Sequence, residues 1–395
     1  MRSMANSGGP STSSNFFGRE QDLLRMWECL RESHNILLLA PRRVGKTSLM
    51  KAMRDQARAK AYRAAFLDVG AVAAEGAFVA KLLQSIEDPT MREKIAADPL
   101  VRSIKKLSIG GNSIEFGAVE GEDWRKIGER ATEILADSES PWLFLIDEFP
   151  IFINKLLKGE AGGAREFLEW FRTLRHAAPQ VRWVLSGSIG LDKVARDARL
   201  SDTINDLLPV NDFGPFSLVI ARAFIDQLGI HHSAWLPDEV RERLMEKVGW
   251  LIPYHLRLLF DRHRNYCADH NLPATSATLD IAYEKLINDR APHLNWWDER
   301  LSELYGDRAD RHARTILRTA ARTGDQGATF QTLRRATWKD HALDADAEEQ
   351  DRLVDDLLDA PVSDGYLRRE RGPRAIRYCF LSALLRDYWL RFKAR

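Results

Sequence analysis

Two short runs carry residue types suited to phosphate chemistry. Residues 40–47 read A-P-R-R-V-G-K-T, and residues 142–148 read W-L-F-L-I-D-E. In the first run, a tight loop can turn successive backbone N–H groups toward phosphate oxygens, and the helix that follows offers the same anion its positive end. Gly45 lets the backbone approach without a Cβ in the way. Lys46 reaches the β and γ phosphates of ATP, and the Thr47 hydroxyl is a hard oxygen ligand of the kind Mg²⁺ prefers. The candidate nucleotide contacts are therefore Ala40, Pro41, Arg42, Arg43, Val44, Gly45, Lys46, Thr47 and Ser48. The first position, a glycine in the consensus P-loop, is Ala40 here, which the loop accommodates if φ there is negative.

In the second run, an apolar stretch ends in two acids. Asp147 is the expected metal anchor with Thr47, and Glu148 the general base that polarises an attacking water, with Lys46 beside them. Residues 181–188, V-R-W-V-L-S-G-S, bring hydroxyls to the end of a further apolar run. Ser188, or less favourably Ser186, is a candidate hydrogen-bond partner for the γ-phosphate or the water.

These groups meet only if particular elements carry them. Asn35–Leu39, Ala64–Val69, Trp142–Ile146 and Val181–Leu185 are apolar runs too short for helices, with a weaker fifth at Leu208–Phe213. Helical patterns such as 47–59 and 164–176 separate them. That alternation predicts a parallel sheet covered on both faces, with ligands at the carboxyl ends of its strands. Residues 103–120 break the rhythm by alternating around Gly110-Gly111-Asn112, which predicts an inserted β-hairpin. Residues 217–293 read as helical. The tail reads as three helices, near 313–322, 330–336 and 348–360, followed by two strands around Arg371-Gly372-Pro373, the layout of a winged helix.

Bulk properties set limits. The 395 residues suit two or three domains, with 45% hydrophobic and 29% charged residues. Lys plus Arg is 58 against 57 Asp plus Glu, a net charge of +1, so a nucleic-acid partner would have to be recognised by a local patch. Cys29, Cys267 and Cys379 form no CxxC pair and read as buried thiols of a reducing compartment. Residues 1–15 are small and polar and read as a disordered tail rather than a signal peptide. No apolar run nears the ~20 residues of a membrane helix, and the expected location is the cytoplasm.

Taken together, F-F-G-R-E at 16–20, P-R-R-V-G-K-T, L-I-D-E-F-P at 145–150 and L-S-G-S-I-G at 185–190 resemble the prokaryotic AAA+/STAND ATPases, archaeal-ATPase-like branch. Residues 378–389, Y-C-F-L-S-A-L-L-R-D-Y-W, are similar to that family's ending. The resemblance implies an α/β P-loop NTPase (AAA+/ASCE) fold with a parallel sheet flanked by helices, then a helical lid and a winged helix. The expected boundaries are 16–216 for the core, 217–309 for the lid and 310–395 for the winged helix. It implies a slow Mg²⁺-dependent ATPase that switches between ATP and ADP states, with Phe17, Gly18 and Arg19 lining the adenine pocket. Gly249, Pro253 and Tyr254 resemble the family's Gly-x-Pro lid motif with one extra residue, which would let His255 or Arg257 face the phosphates. Arg196 and Arg199 are unremarkable as trans-acting arginines, and Asn205 and Asp206 stand where related chains often carry one, which favours a switch over an active ring.

The partner of the tail is open at this level. From Asp344 to Asp359 there are eight acids and one base, Arg352, on what would be the recognition helix. From Asp364 to Arg395 there are nine bases and three acids. The basic wing suits docking within the chain, on a protein partner or on a second copy, and a DNA backbone is the alternative. Trp296-Trp297 reads as core packing between lid and tail.

Overall fold

The computed structural model describes residues 16–102, 104–107, 114–117, 123–159, 163–187, 200–289, 292–340, 347–372 and 375–393. The expected tail 1–15, the turn at 110–112, Ser188, Arg196 and Arg199 lie outside them. Two compact units divide the chain. The first runs up to Ala40 and from Gly45 to Phe213, and the second takes Pro41–Val44 with Gly214–Arg395.

In the first unit, α1 (Glu20–Arg31) leads into β1 (Asn35–Leu39), α2 (Lys46–Gln56) and β2 (Arg63–Asp68). Then come α3 (Glu75–Gln84), α4 (Pro89–Ala97), the single turn α5 (Pro99–Arg102), β3 (Lys105–Leu107), β4 (Ile114–Phe116) and α6 (Trp124–Ala136). β5 (Trp142–Asp147), α7 (Phe149–Lys158), α8 (Gly163–Ala177), β6 (Val181–Gly187) and β7 (Leu207–Val210) complete it. Five strands form a parallel sheet in the order β2-β5-β6-β1-β7. All six residues of β5 are buried, as a central strand covered on both faces requires. β3 and β4 pair antiparallel as the expected inserted hairpin, with Lys105 opposite Phe116.

Aromatic residues cement one face of this sheet. Phe78 of α3 stacks on Phe152 of α7 at 5.2 Å and meets Phe167 of α8 edge-on at 4.9 Å. Phe171 of α8 meets Trp183 of β6 edge-on, also at 4.9 Å. Each such pair contributes ~0.5–1.5 kcal/mol beyond area burial. The packing fixes α7, whose first residue follows Glu148.

In the second unit, α9 (Leu218–His232), α10 (Asp238–Val248), α11 (Pro253–His270) and α12 (Ser276–Asn288) pack together. α13 (Pro292–Arg322) follows, then β8 (Ala328–Thr329), α14 (Phe330–Asp340), α15 (Ala347–Ser363), β9 (Leu367–Arg371), β10 (Ile376–Phe380) and α16 (Ala383–Phe392). β8, β10 and β9 form an antiparallel sheet in that order. The expected lid–tail boundary at 309 falls inside α13, a continuous helix of 31 residues. Trp297 of that helix is fully buried edge-on against Tyr366 at 4.9 Å, and the Tyr366 hydroxyl donates to the Trp297 carbonyl at 2.6 Å.

Candidate phosphate-binding site

β1 ends at Leu39, and α2 begins at Lys46. The intervening turn takes its unusual backbone at Arg43 (φ 65°) and Gly45 (φ 110°), not at Ala40. The alanine is therefore tolerated where the consensus has glycine. At Gly45 a Cβ would meet nothing within 4 Å, so the glycine is demanded by φ, and its open side is the approach a phosphate needs. α2 has no side-chain cap and no acid in its first turn, whereas α1 has Glu20 and Asp22 there. Its positive end is thus free of a built-in carboxylate, as an anion-binding helix start should be.

Lys46 is buried at 6% exposure, with its ammonium held by the Ala40 carbonyl at 2.6 Å. The next side chain, Thr47, donates to Asp147 Oδ2 at 2.5 Å. Asp147, at the carboxyl end of β5, is 4% exposed and accepts two more hydrogen bonds on Oδ1, from Ser186 Oγ and from the Glu148 amide, both 3.0 Å. Thr47 and Asp147, 100 residues apart, thus put two hard oxygens side by side next to a buried lysine. This donor set fits Mg²⁺. Glu148 stands at the turn into α7 with φ 57°, a left-handed conformation that aims it away from the strand's own line.

No protein-family model and no curated protein matches the chain. Solved structures do. It is similar to a Walker-type ATPase of Pyrococcus abyssi, with a TM-score of 0.65 and 16% identity over 98% of this chain and 99% of that one. It is also similar to the Aeropyrum pernix ORC2 protein, solved as ADPNP-ADP complexes, with a TM-score of 0.56 and 13% identity over 95% and 94%. The fold is that of an AAA+ P-loop ATPase.

Within this P-loop fold the other expected site residues are placed unevenly. Phe17 is half-buried, and Gly18 has φ 72° with its amide on Glu20 Oε1 at 3.1 Å. Arg19 is buried, its guanidinium 4.3 Å over the Phe213 ring and 3.2 Å from Asp22; burial pulls its pKa down against the pull of Asp22. Within the second unit, Arg43 lies 3.9 Å over the ring of Tyr254, whose hydroxyl pKa burial raises. Pro253 opens α11, and Gly249, with φ 70°, ends α10.

Three residues named with the lid and arginine positions have partners inside their own unit. His255 is fully buried, with Nδ1 3.3 Å from Ser382 Oγ and Trp250 and Trp297 around its ring. Arg257 is engaged one turn along α11 by Asp261 at 3.3 Å. Asp206 is gripped by Arg175, whose side chain is fully buried, at 2.8 and 2.6 Å. Burial alone would raise the Asp206 pKa, but the Arg175 hydrogen bonds and charge hold it below the ordinary value.

Ser186, ranked below Ser188 from sequence, donates to Asp147 alongside the Thr47 hydroxyl. A serine closing a run of otherwise apolar buried positions was the available signal. Among the described residues no cluster of three or more His, Cys, Asp or Glu could hold a metal. No described helix is long and apolar enough to cross a membrane.

Proposed function

We propose that this chain binds ATP with Mg²⁺ and hydrolyses it slowly, and that nucleotide state is coupled to the position of a helical lid and a C-terminal winged helix. The observation that carries the reading is the hydrogen bond from Thr47 to Asp147 beside buried Lys46. Lys46 binds the β and γ phosphates, exchanging its Ala40 carbonyl for phosphate oxygens. Thr47 and Asp147 would hold the ion, Asp147 being kept in place by Ser186 and the Glu148 amide. Mg²⁺, when bound, offsets charge on the phosphate oxygens. Glu148 accepts the proton of a water whose oxygen bonds to the γ-phosphorus as the bond to the β–γ bridging oxygen breaks. Phe17, Gly18 and Arg19 contact the base, and Tyr254 with Pro253 reports the nucleotide to the lid.

The winged-helix reading is supported by the order of α13, α14, α15 and the β9–β10 hairpin. A DNA-binding initiator-like ATPase is the second reading, favoured by the exposed arginines Arg368 and Arg369 of β9.

The test compares two variants. Glu148→Gln is expected to bind ATP as the wild type does and to lose turnover by about 10²-fold or more, while Lys46→Ala weakens binding itself. Undiminished hydrolysis in Glu148→Gln would overturn the assignment of the base.

A further inference from the structure

The loop after β2 is tied to the site in a way the P-loop and acidic motifs do not account for. β2 lies beside β5 with Asp68 opposite Asp147. Beyond the strand, the Val69 amide still donates to the Asp147 carbonyl at 3.0 Å. The Gly70 amide then turns back to Asp68 Oδ1 at 2.8 Å, and Val72, 8% exposed, closes the turn on the Val69 carbonyl at 3.0 Å. The Gly70 carbonyl accepts from the ammonium of Lys155 at 2.7 Å. Lys155 is on α7, the helix that begins at the residue after Glu148.

Gly70 explains why this tie matters. Its φ is not positive, so an alanine would meet no backbone strain there. A Cβ would instead lie 3.3 Å from Glu148 Cβ, 3.7 Å from Glu148 Cγ and 3.1 Å from Asp68 Oδ1. A side chain at this position would therefore press on the stem of Glu148 and on Asp68, each of which would have to give by a few tenths of an ångström. The acid is bounded on one side by its own left-handed backbone and on the other by this loop.

We propose that Gly70 and Lys155 are positioning residues for Glu148: Lys155 anchors the loop through the Gly70 carbonyl, and the bare Cα of Gly70 sets where the Glu148 stem can lie. The inference rests on the reading of Glu148 as the base. Neither residue touches the reacting atoms. Their effect falls on turnover and not on nucleotide affinity, because the groups placed to bind phosphate and metal are Lys46, Thr47 and Asp147.

The experiment uses the full chain with Mg-ATP turnover, equilibrium binding of a fluorescent ATP analogue and a thermal melt. Gly70→Ala is expected to lower kcat about ten- to a hundredfold, as small misplacements of a catalytic group do, with affinity within about twofold and only a small change in Tm. Lys155→Met lowers kcat in the same sense, and Lys155→Arg, which can still reach a carbonyl, restores most of it. A Gly70→Ala enzyme with wild-type kcat would sink the proposal, as would a loss of affinity that parallels the loss of kcat, or a Lys155→Arg variant no better than Lys155→Met. Glu148→Gln run alongside separates the two levels. If it is inactive while Gly70→Ala turns over normally, only the positioning role falls; if it turns over normally, the base assignment falls and takes this inference with it.

Discussion

The imidazole of His255 makes the stability of the second unit dependent on pH, and the structure gives the size of the effect. Ser382 caps α16, accepting from the Leu385 amide at 3.3 Å, and its hydroxyl lies 3.3 Å from the Val248 carbonyl, to which it donates. Its remaining lone pair therefore accepts from His255, which assigns the imidazole proton to Nδ1. Nε2 is buried without a hydrogen-bond partner among the described residues. A second proton would have to sit there, in an apolar surround with the Arg43 cation nearby. Burial first, and the Arg43 charge second, lower the pKa from 6.5 to about 3. For a base with a depressed folded pKa, the unfolded chain takes up a proton that the folded chain refuses. The contribution to stability is thus complete above pH 6.5 and is lost as pH falls toward 3. At about 1.4 kcal/mol per pH unit, roughly 2 kcal/mol is gone at pH ~5. His263 and His232, both lowered chiefly by burial, act in the same direction, so some slope survives without His255. The perturbation is His255→Asn, which keeps a group near the Nδ1 position and removes the titration. Urea unfolding followed by fluorescence at several pH values between ~7.5 and ~5 should show the wild type losing about 2 kcal/mol more than the variant. Parallel pH profiles for the two proteins would refute the buried-neutral assignment.

Two further outcomes follow from the geometry. Gly45→Ala should cost ~1–2 kcal/mol from its φ of 110° and abolish nucleotide binding, while Ala40→Gly should bind no tighter than wild type and lose under ~1 kcal/mol, both read by thermal melts and ligand titration. Arg175→Leu leaves the Asp206 carboxylate without its buried partner and should cost ~3–5 kcal/mol in thermal or urea unfolding, whereas adding Asp206→Leu should recover much of that loss.

The sheet was legible because its central parallel strands, buried on both faces, are short continuous apolar runs. β1, β2, β5 and β6 fall within a residue or two of the runs read from sequence. The phosphate loop was legible for a similar reason: strand, turn and helix are consecutive, so the residues that surround an anion are neighbours in the chain. α13 was not. The boundary read at 309 divides it, yet buried Leu294, Trp297 and Leu301 continue through to Ala313, Ile316, Leu317 and Ala320 on a single helix. There tertiary packing overrides local propensity. Contacts made only by folding were beyond reach as well. Ser382 meets His255 across 127 positions, and Lys155 meets Gly70 across 85. Neither pair leaves a periodicity or a spacing in the sequence.

The charges of the C-terminal hairpin bear on which reading of the tail is preferred. Counted along the chain, the hairpin is basic, but three of its arginines have partners within the second unit. Arg368 pairs with Glu370 at 2.6 Å, and Arg369 reaches Asp359 of α15 at 3.2 Å while lying 5.6 Å over Tyr378. Arg377 donates to the Gln326 carbonyl at 2.8 Å. Exposed pairs of this kind are worth only ~0–1 kcal/mol each, so they do not by themselves prevent rearrangement. The acids of α15 are a stronger obstacle. Asp355 has its pKa raised by burial and by Asp359, Asp351 and Asp356 nearby, despite the opposing pull of Arg369. A phosphate backbone brought to β9 would meet that same acidic field, and the counterions it could release would be few. A protein surface carrying its own mixed charges meets no such penalty, so of the two readings proposed for the tail the charge balance favours the one without DNA.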